Sequence, residues 1–271
     1  MPAADRAEDL ALLRHHAAEA GRIAMDWFGE TPKVWMKEGQ SPVSEADFAV
    51  DTYLRRELLA ARPDYGWLSE ETEDNPDRRN RRRVFVVDPI DGTRGFLAGD
   101  RRWCISIAVV EEQRPVVGVL ECPALDRRIE AVAGGGAFED GEPLPRRPVR
   151  RPLRVSGPKV FMRHADAMPD LMQDMRHAGY IPSLAWRIAL VATGEIEVGF
   201  ARASARDWDL AAADLIVQEA GARLTDDACA GLAYNCPSTR HGILVAGREP
   251  YHGAMCRVAG EVVRHAGDAK A

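Results

Sequence analysis

The chain has 271 residues, of which 46% are hydrophobic and 29% are charged, as is typical of a folded globular protein. Its formal net charge is −6 at pH 7, whereas proteins that bind nucleic-acid polymers are usually basic. Composition therefore argues against a general nucleic-acid-binding function. The length predicts one large domain or two closely packed halves.

The first residues and the cysteines indicate where the protein resides. Residues 1–16 are charged from the start and lack an apolar core of signal-peptide length. No stretch approaches the ~20 apolar residues that a membrane span requires. The five cysteines include no C-x-x-C pair, and their odd number favours free thiols in a reducing compartment. We expect a cytoplasmic protein without a disulfide framework, and the spacing of the seven histidines predicts no zinc site.

The first part of the chain combines two helical patterns with short strands. Apolar residues at helical spacing predict helices over residues 7–28 and 44–61, and strands are predicted at 34–36 and 67–69. Ser44 and Asp47 have the spacing of a capping box. Residues 37–42 are predicted to form a loop, and residues 72–83 a polar, mobile segment.

The most informative stretch runs from Val84 to Leu97 and reads VFVVDPIDGTRGFL. Its β-branched start predicts a buried strand, which we expect to end at Asp88 because the following proline cannot donate to a sheet ladder. Asp91, Gly92 and Thr93 come next, and polar groups at the carboxyl end of a strand point into a crevice. A solvated turn is the alternative, since Asp, Pro and Gly are common in turns.

After this stretch, hairpins give way to alternating strands and helices. Strands at 103–110, 115–121 and 128–132 read as antiparallel hairpins. A segment rich in proline and arginine, residues 143–154, is the predicted junction between an α+β half, residues 1–150, and an α/β half, residues 151–271. Predicted strands of the second half are 159–162, 196–200 and 243–246, and its predicted helices are 168–179, 183–193, 208–220 and 251–265.

Two runs of arginine, at residues 78–83 and 146–154, stand beside turn residues. Neither run is interleaved with aromatic residues, so solvated loops are favoured over a docking patch. A patch that binds RNA or a protein partner is the alternative.

Carboxylates recur at the ends of the predicted elements, at Asp47, Glu70, Glu71, Asp88, Asp91 and Asp209. Clustered carboxylates repel one another, and a hard divalent cation neutralises them, with oxygen ligands favouring Mg²⁺ over zinc. Two such ions about 3.5–4 Å apart can bind the attacking and the leaving oxygen of a displacement at phosphorus. If these acids converge in space, the implied chemistry is metal-assisted hydrolysis of a phosphomonoester. Their spacing alone does not establish that convergence.

The motifs around these acids resemble those of the inositol monophosphatase family. They occur in the family's order: Ser69-Glu70-Glu71, then Asp88-Pro89-Ile90-Asp91-Gly92-Thr93, then Trp208-Asp209 with Glu219-Ala220-Gly221. The resemblance covers nearly the whole chain. It implies an α/β fold of the layered αβαβα type that the family shares with fructose-1,6-bisphosphatase. It also implies a homodimeric, Mg²⁺-dependent and lithium-sensitive phosphatase.

The resemblance implies the ligands of two or three Mg²⁺ ions. Glu70, Asp88 and the backbone carbonyl of Ile90 would hold the first ion. Asp88, Asp91 and Asp209 would hold the second, and Glu70 would reach a third through water. For Asp209 the alternative is an ordinary acid in the first turn of a helix.

The same resemblance implies catalytic and phosphate-binding residues. Glu70, together with Thr93 paired to Asp47, would position and activate the attacking water, although Asp47 is also explained as a helix cap. The backbone amides of Gly92 and Thr93 would bind the phosphate. Glu71 would take only a supporting role.

The chain departs from the family where a substrate would be recognised. Arg94-Gly95 follows Thr93 where inositol phosphatases commonly have Thr-Asn, and residues 200–207 lack the glutamate that often contacts inositol hydroxyls. Arg202 lies in that segment and suits an anion better than a polyol. These features resemble the bacterial 3'(2'),5'-bisphosphate nucleotidases.

The predicted substrate is therefore 3'-phosphoadenosine 5'-phosphate, with inositol 1-phosphate as the alternative. The predicted partner is a small phosphomonoester, not a nucleic-acid polymer or a membrane. A non-catalytic relative that binds RNA or a protein is the alternative from another class.

Overall fold

Alternating layers of helices and sheets make up the fold of the computed structural model, which describes residues 3–30, 33–36, 42–164 and 174–268. Within these ranges the α-helices are α1 (Ala3–Met25), α2 (Glu45–Ala61), α3 (Thr93–Leu97), α4 (Lys159–His164), α5 (Leu184–Thr193), α6 (Asp207–Glu219) and α7 (His252–Asp268). The strands are β1 (Val34–Met36), β2 (Pro42–Ser44), β3 (Gly66–Ser69), β4 (Arg83–Asp91), β5 (Cys104–Glu111), β6 (Arg114–Cys122), β7 (Arg127–Val132), β8 (Gly136–Glu139), β9 (Glu142–Pro143), β10 (Leu153–Ser156), β11 (Met175–His177), β12 (Val198–Ala201), β13 (Arg223–Asp226) and β14 (Leu244–Gly247).

Two large sheets separate three layers of helices. The seven-stranded sheet has the order β3-β4-β5-β6-β7-β8-β9, and the five-stranded sheet has the order β11-β10-β12-β14-β13. Helices α1 and α2 cover the outer face of the larger sheet, α5 and α6 lie between the sheets, and α7 packs on the smaller sheet with α4 beside it. The predicted αβαβα sandwich is confirmed.

The larger sheet is built from residues 66–143 and the smaller from residues 153–247. One hydrophobic core nevertheless joins them through α5 and α6, with Val86 of the larger sheet and Leu244 of the smaller sheet in the same cluster. The division into halves at residue 150 therefore stays a prediction.

Strand β4 continues past the point at which we predicted its end. It pairs in parallel with β3 through Ser69 and Val87, and antiparallel with β5. Its register against β5 shifts between Asp88 and Asp91, which marks a bulge that contains Pro89. A bulge frees a residue from the ladder, so the missing N–H of proline costs little there. The predicted end at Asp88 is wrong, because the strand extends to Asp91.

Several predictions in the second half are also wrong or incomplete. Residues 159–162 belong to helix α4 instead of a strand, since a short apolar run fits either structure and Pro158 suits a helix start. Of the predicted helix at 168–179, residues 168–173 lie outside the described residues, and Met175–His177 form β11. Strands β10 and β13 were not predicted. The predicted helices that correspond to α5, α6 and α7 are confirmed.

Two predicted loops of the first half, at residues 37–42 and 78–83, can be compared with the structure to different extents. Residues 37–41 of the predicted loop lie outside the described residues. In the arginine run at residues 78–83, which was predicted to be solvated, Arg78 is buried. Its guanidinium donates to Asp74 and to the backbone carbonyl of Cys236. That arginine anchors its loop to the rest of the protein, and the prediction of a wholly solvated run is wrong for it.

The prediction of free thiols is wrong for one pair of cysteines. Cys229, in the turn after β13, and Cys256, on α7, form a disulfide, whereas Cys104, Cys122 and Cys236 are free. No spacing pattern indicates this pair, because its members are 27 residues apart along the chain and meet only through the packing of α7 on the smaller sheet. Among the described residues, no helix is both long enough and apolar enough to span a bilayer.

Helix α6 approaches the larger sheet closely at Gly118 of β6. A Cβ atom on Gly118 would lie 2.9 Å from the Cα atom of Ala212 and 3.1 Å from its carbonyl oxygen. Because backbone atoms cannot move aside as a flexible side chain can, Gly118→Ala is predicted to lower the free energy of unfolding by about 1–3 kcal/mol, measured by urea denaturation.

The matched control is Gly260→Ala in α7, where the added Cβ atom meets nothing within 4 Å. That control is predicted to be neutral or to stabilise by about 0.5–1 kcal/mol, because alanine favours helices more than glycine does. Equal effects of the two substitutions would contradict the close packing of α6 against β6.

Candidate active site

Three carboxylates converge where β3 and β4 end. Glu70 directly follows β3, Asp88 lies near the end of β4, and Asp209 is in the first turn of α6. A carboxylate oxygen from each of these residues lies within 4.8 Å of the other two. Parallel pairing of β3 with β4 brings their carboxyl ends to the same edge of the sheet, and α6 meets that edge from the layer between the sheets.

Asp91, the remaining carboxylate that was predicted to bind metal, lines the same cleft but is not in this group of three. Its Oδ2 atom accepts hydrogen bonds from the Ser183 hydroxyl and, at 2.6 Å, from the Ala185 backbone N–H. Both donors belong to the amino-terminal end of α5, where the positive end of the helix dipole favours a negative charge. The start of α5 therefore orients Asp91.

Burial and mutual repulsion make these acids hard to ionise together. Burial, followed by the charges of Glu70, Asp91 and Asp209, raises the pKa of Asp88 well above its usual range. Burial and the charges of Asp91 and Glu70 raise the pKa of Asp209 in the same way. Burial raises the pKa of Asp91 to about 6, although the hydrogen bond that it accepts from Ser183 acts to lower this pKa. At neutral pH the cluster needs protons or a bound cation.

The donor set fits a hard divalent cation. The converging side chains offer only carboxylate oxygens, which suit Mg²⁺ better than thiophilic metals. Glu70, Asp88 and Asp209 are placed to hold such an ion, and the raised pKa values reflect the charge that it would neutralise. Bound there, Mg²⁺ would polarise a phosphate group and lower the pKa of a coordinated water.

Asp47 and Thr93 meet beside this cluster. The Thr93 hydroxyl lies 3.3 Å from Asp47 Oδ1 and 3.0 Å from the carbonyl oxygen of Ile90. A hydroxyl has one proton, so it donates to one of these acceptors at a time. Asp47 Oδ2 also accepts from the Ser44 backbone N–H at 2.8 Å, which closes the predicted capping box of α2. Asp47 is thus both a helix cap and a neighbour of Thr93.

Gly92 supplies a tight turn between β4 and α3. Its φ of +95° is in the left-handed region, and a Cβ atom there would lie 2.9 Å from the backbone nitrogen of Ser183. Glycine is therefore required by both conformation and space. Thr93 begins α3, so its N–H is one of the groups without an acceptor inside the helix.

Sequence reasoning missed several residues that line the acidic cleft, which has a volume of ≈ 540 Å³. Arg206 precedes α6, donates through its backbone N–H to Asp209 at 2.7 Å, and places its guanidinium 5.6 Å from the ring centre of Trp208. Tyr180, Pro182 and Ser204 also line the cleft. Ser183 could have been found as a helix cap before an apolar run, but its bond to Asp91 depends on tertiary packing.

A second pocket, which we call the basic pocket, adjoins the acidic cleft. The two share Arg94, Tyr180, Pro182 and Ser204, and the cationic side chains of the basic pocket are Arg94, Lys159, Arg187 and Arg202. No carboxylate is among the described residues that line it. Arg187 is buried, and its Nε atom has no hydrogen-bond partner. The site thus combines an acidic centre with a cationic side.

A carboxylate cluster at the strand ends of an αβαβα sandwich defines the class of metal-dependent phosphatases. The sequence matches the inositol monophosphatase family over residues 5–263, and the chain belongs to that family. Members of the family hydrolyse phosphomonoesters, so the protein is a phosphoric monoester hydrolase.

Similar proteins carry different names. The chain is 36% identical to a glucose-1-phosphate thymidylyltransferase of Streptomyces griseus, over 82% of this chain and 87% of the relative. It is 34% identical to a histidinol-phosphatase of Mycobacterium tuberculosis, over 84% and 86% of the two chains. The crystal structure of the suppressor protein suhB from Bartonella henselae superposes with a TM-score of 0.80 at 27% identity, covering 93% of this chain and 98% of that one.

The contact between Ser183 and Asp91 gives a testable consequence. Ser183→Ala removes a donor to Asp91 and the cap of α5, whose Trp186 backbone N–H donates to the serine hydroxyl at 2.9 Å. The free energy of unfolding should fall by about 1 kcal/mol, as for other lost caps. The Mg²⁺ concentration for half-maximal phosphate release should rise, because Asp91 loses a bond that favours its charged form.

Ser156→Ala is the matched control, because Ser156 is equally buried but donates to the backbone carbonyl of Gly179 and not to an acid. It should leave the Mg²⁺ requirement unchanged. If Ser183→Ala also leaves that requirement unchanged, the bond to Asp91 has no role in metal binding.

Proposed function

We propose that this protein is a Mg²⁺-dependent phosphomonoesterase whose metal ions are held by Glu70, Asp88 and Asp209, with Asp91 and the carbonyl of Ile90 completing the set. The observation that carries this proposal is the convergence of three carboxylate oxygens within 4.8 Å of one another at the ends of β3, β4 and α6. An acidic cluster in which Asp88 is buried and its two neighbours are half-buried is costly without a counter-charge. Two or three ions, inhibition by Li⁺, a homodimer and a cytoplasmic location belong to the same proposal.

The chain's own residues would prepare and hold the reactants. Glu70 and the pair formed by Thr93 and Asp47 would orient the attacking water and accept its proton, which their position beside the cluster supports. The backbone N–H groups at Gly92 and Thr93 would hold the phosphate at the start of α3. The turn at Gly92 supports this role because it excludes a side chain there.

The proposed substrate is a phosphomonoester with a second anionic group, and 3'-phosphoadenosine 5'-phosphate is the first candidate. The acidic cleft would receive the scissile 3'-phosphate. The basic pocket beside it, which contains Arg94, Arg187 and Arg202, supports binding of the second phosphate. The basic pocket has a volume of ≈ 530 Å³, and such space beside the acidic cleft suits a nucleotide better than a single cyclitol ring.

Two other phosphomonoesters remain candidates for different reasons. Inositol 1-phosphate follows from the family, but no carboxylate is available to accept from its hydroxyls among the described residues of the basic pocket. Histidinol phosphate is favoured by the name of the relative at 34% identity. Its ammonium group would find no carboxylate among the described residues of the basic pocket.

Glu70→Gln tests the metal centre. Removing one negative ligand should reduce Mg²⁺-dependent phosphate release by about 1,000-fold, the factor that corresponds to the several kcal/mol supplied by metal assistance. Glu73→Gln is the matched control, because Glu73 is exposed on the same loop and lines neither pocket. Near-normal turnover of Glu70→Gln at saturating Mg²⁺ would overturn the assignment.

Absence of turnover by the wild type on every phosphomonoester tried, together with stable RNA or protein binding, would favour a non-catalytic relative.

Arg202→Gln tests the substrate. It should lower kcat/KM for 3'-phosphoadenosine 5'-phosphate by about tenfold, the effect of losing one charge-assisted contact, and leave inositol 1-phosphate unchanged. Arg257→Gln, at an exposed position on α7, controls for overall charge. A wild-type preference for inositol 1-phosphate or histidinol phosphate would contradict the nucleotide proposal while leaving the phosphatase proposal intact.

A further inference from the structure

Three potential metal ligands meet on the side of the smaller sheet that faces α7, outside both pockets of the active site. Cys229, His252 and Cys256 each offer one ligand atom, and these atoms lie within 4.8 Å of one another. His252 and Cys256 are one helical turn apart on α7, so their side chains share a face. None of the three lines the acidic cleft or the basic pocket.

The cysteines form a disulfide in the structure, and opening it would free two sulfur ligands beside the imidazole. Reduction requires two electrons and two protons, which an external dithiol supplies while it is oxidised to its own disulfide. The products are the two thiols of Cys229 and Cys256. Their Cα atoms are 5.9 Å apart, so both sulfurs remain near His252 after the bond opens.

The surroundings of His252 suit a neutral metal ligand. The residue is fully buried, and burial lowers the pKa of its imidazole, so the ring is neutral at pH 7. Its Nε2 atom lies 3.2 Å from the Thr225 hydroxyl, and its Nδ1 atom lies 3.8 Å from Cys256 Sγ. The sulfur-to-nitrogen distance in a tetrahedral zinc site is about 3.6 Å from the usual bond lengths. The Thr225 contact would fix the ring orientation, as partners of metal-bound histidines commonly do.

A tight turn holds Cys229 in place. The Cys229 backbone N–H donates to the Asp226 carbonyl at 3.1 Å, and the Asp226 side chain accepts from the backbone N–H groups of Ala228 and Ala230. Cys229 is half-buried, whereas Cys256 is buried, so the site opens to solvent on the side of Cys229.

We propose that Cys229, His252 and Cys256 form a three-ligand site for a thiophilic divalent cation such as Zn²⁺ when the disulfide is reduced. Binding converts the two thiols to thiolates and releases two protons. Oxidation to the disulfide removes both sulfur ligands. The absence of a zinc site stays a prediction from histidine spacing, and the proposal departs from it because these ligands come from a helix and a distant turn.

The test is a Co²⁺ titration of the full-length protein after reduction with dithiothreitol and anaerobic removal of the reductant. Sulfur-to-cobalt charge-transfer absorption should saturate at the intensity of one sulfur-ligated cobalt ion per chain and disappear when Zn²⁺ is added in excess. The carboxylates of the active site also bind Co²⁺ but contribute no such band, since they contain no sulfur. The oxidised protein should show no band.

Variants separate the ligands from the other thiols. Cys256→Ser should abolish the band, and His252→Gln, which keeps both thiols, should weaken Co²⁺ binding by at least about tenfold. Cys236→Ser, which removes a free and half-buried cysteine, should change nothing. Circular dichroism and thermal melts of the variants verify their folding. Absence of the band in reduced wild type, its persistence in Cys256→Ser, or unchanged affinity in His252→Gln would each overturn the proposal.

Discussion

Repulsion among clustered carboxylates governs the chemistry of the site, where Asp88 and Asp91 are buried and Glu70 and Asp209 are half-buried. Glu70, Asp88 and Asp209 lie within a few ångströms of one another, and Asp91 lies in the same cleft. Burial removes the water that would screen their charges, and the pKa values of Asp88, Asp91 and Asp209 rise as a result. Without protons or cations, the negative charges of these acids would repel one another and destabilise the fold. A bound metal ion would relieve that repulsion.

The layers of the fold supply these acids from separate elements. Parallel pairing of β3 and β4 places Glu70 beside Asp88, and the bulge at Pro89 turns the end of β4 toward α3. Close packing of α6 at Gly118 sets the position of its first turn and hence of Asp209. The amino-terminal end of α5 orients Asp91 through Ser183 and Ala185. The positions of the acids therefore depend on how these elements pack against one another.

Sequence patterns predicted the acids and the layers better than the contacts between them. The apolar run before Asp88, the helical spacing around Asp209 and the DPIDGT motif were visible without a structure, and the αβαβα class followed from resemblance. The bulge that carries β4 past Pro89 was not predictable, because it depends on the pairing of β5. The roles of Ser183, Arg187 and Arg206 depend on which elements meet, and the pairing of Cys229 with Cys256 depends on the docking of α7.

The molecule separates two groups of potential metal ligands in space. The carboxylate oxygens of Glu70, Asp88 and Asp209 meet at the strand ends of the larger sheet, whereas the sulfur and imidazole groups of Cys229, His252 and Cys256 meet beneath α7. Hard and thiophilic cations would therefore select different sites by ligand type. The basic pocket beside the acids adds a third environment, which is cationic.

Metal binding by these carboxylates can be observed by anomalous diffraction from crystals of the protein soaked in Mn²⁺ as a replacement for Mg²⁺. Anomalous peaks are expected between the carboxylates of Glu70, Asp88 and Asp209, with the strongest peak in contact with Asp88. A well-ordered cleft with no anomalous peak at these acids, at Mn²⁺ concentrations that support activity, would contradict metal binding there.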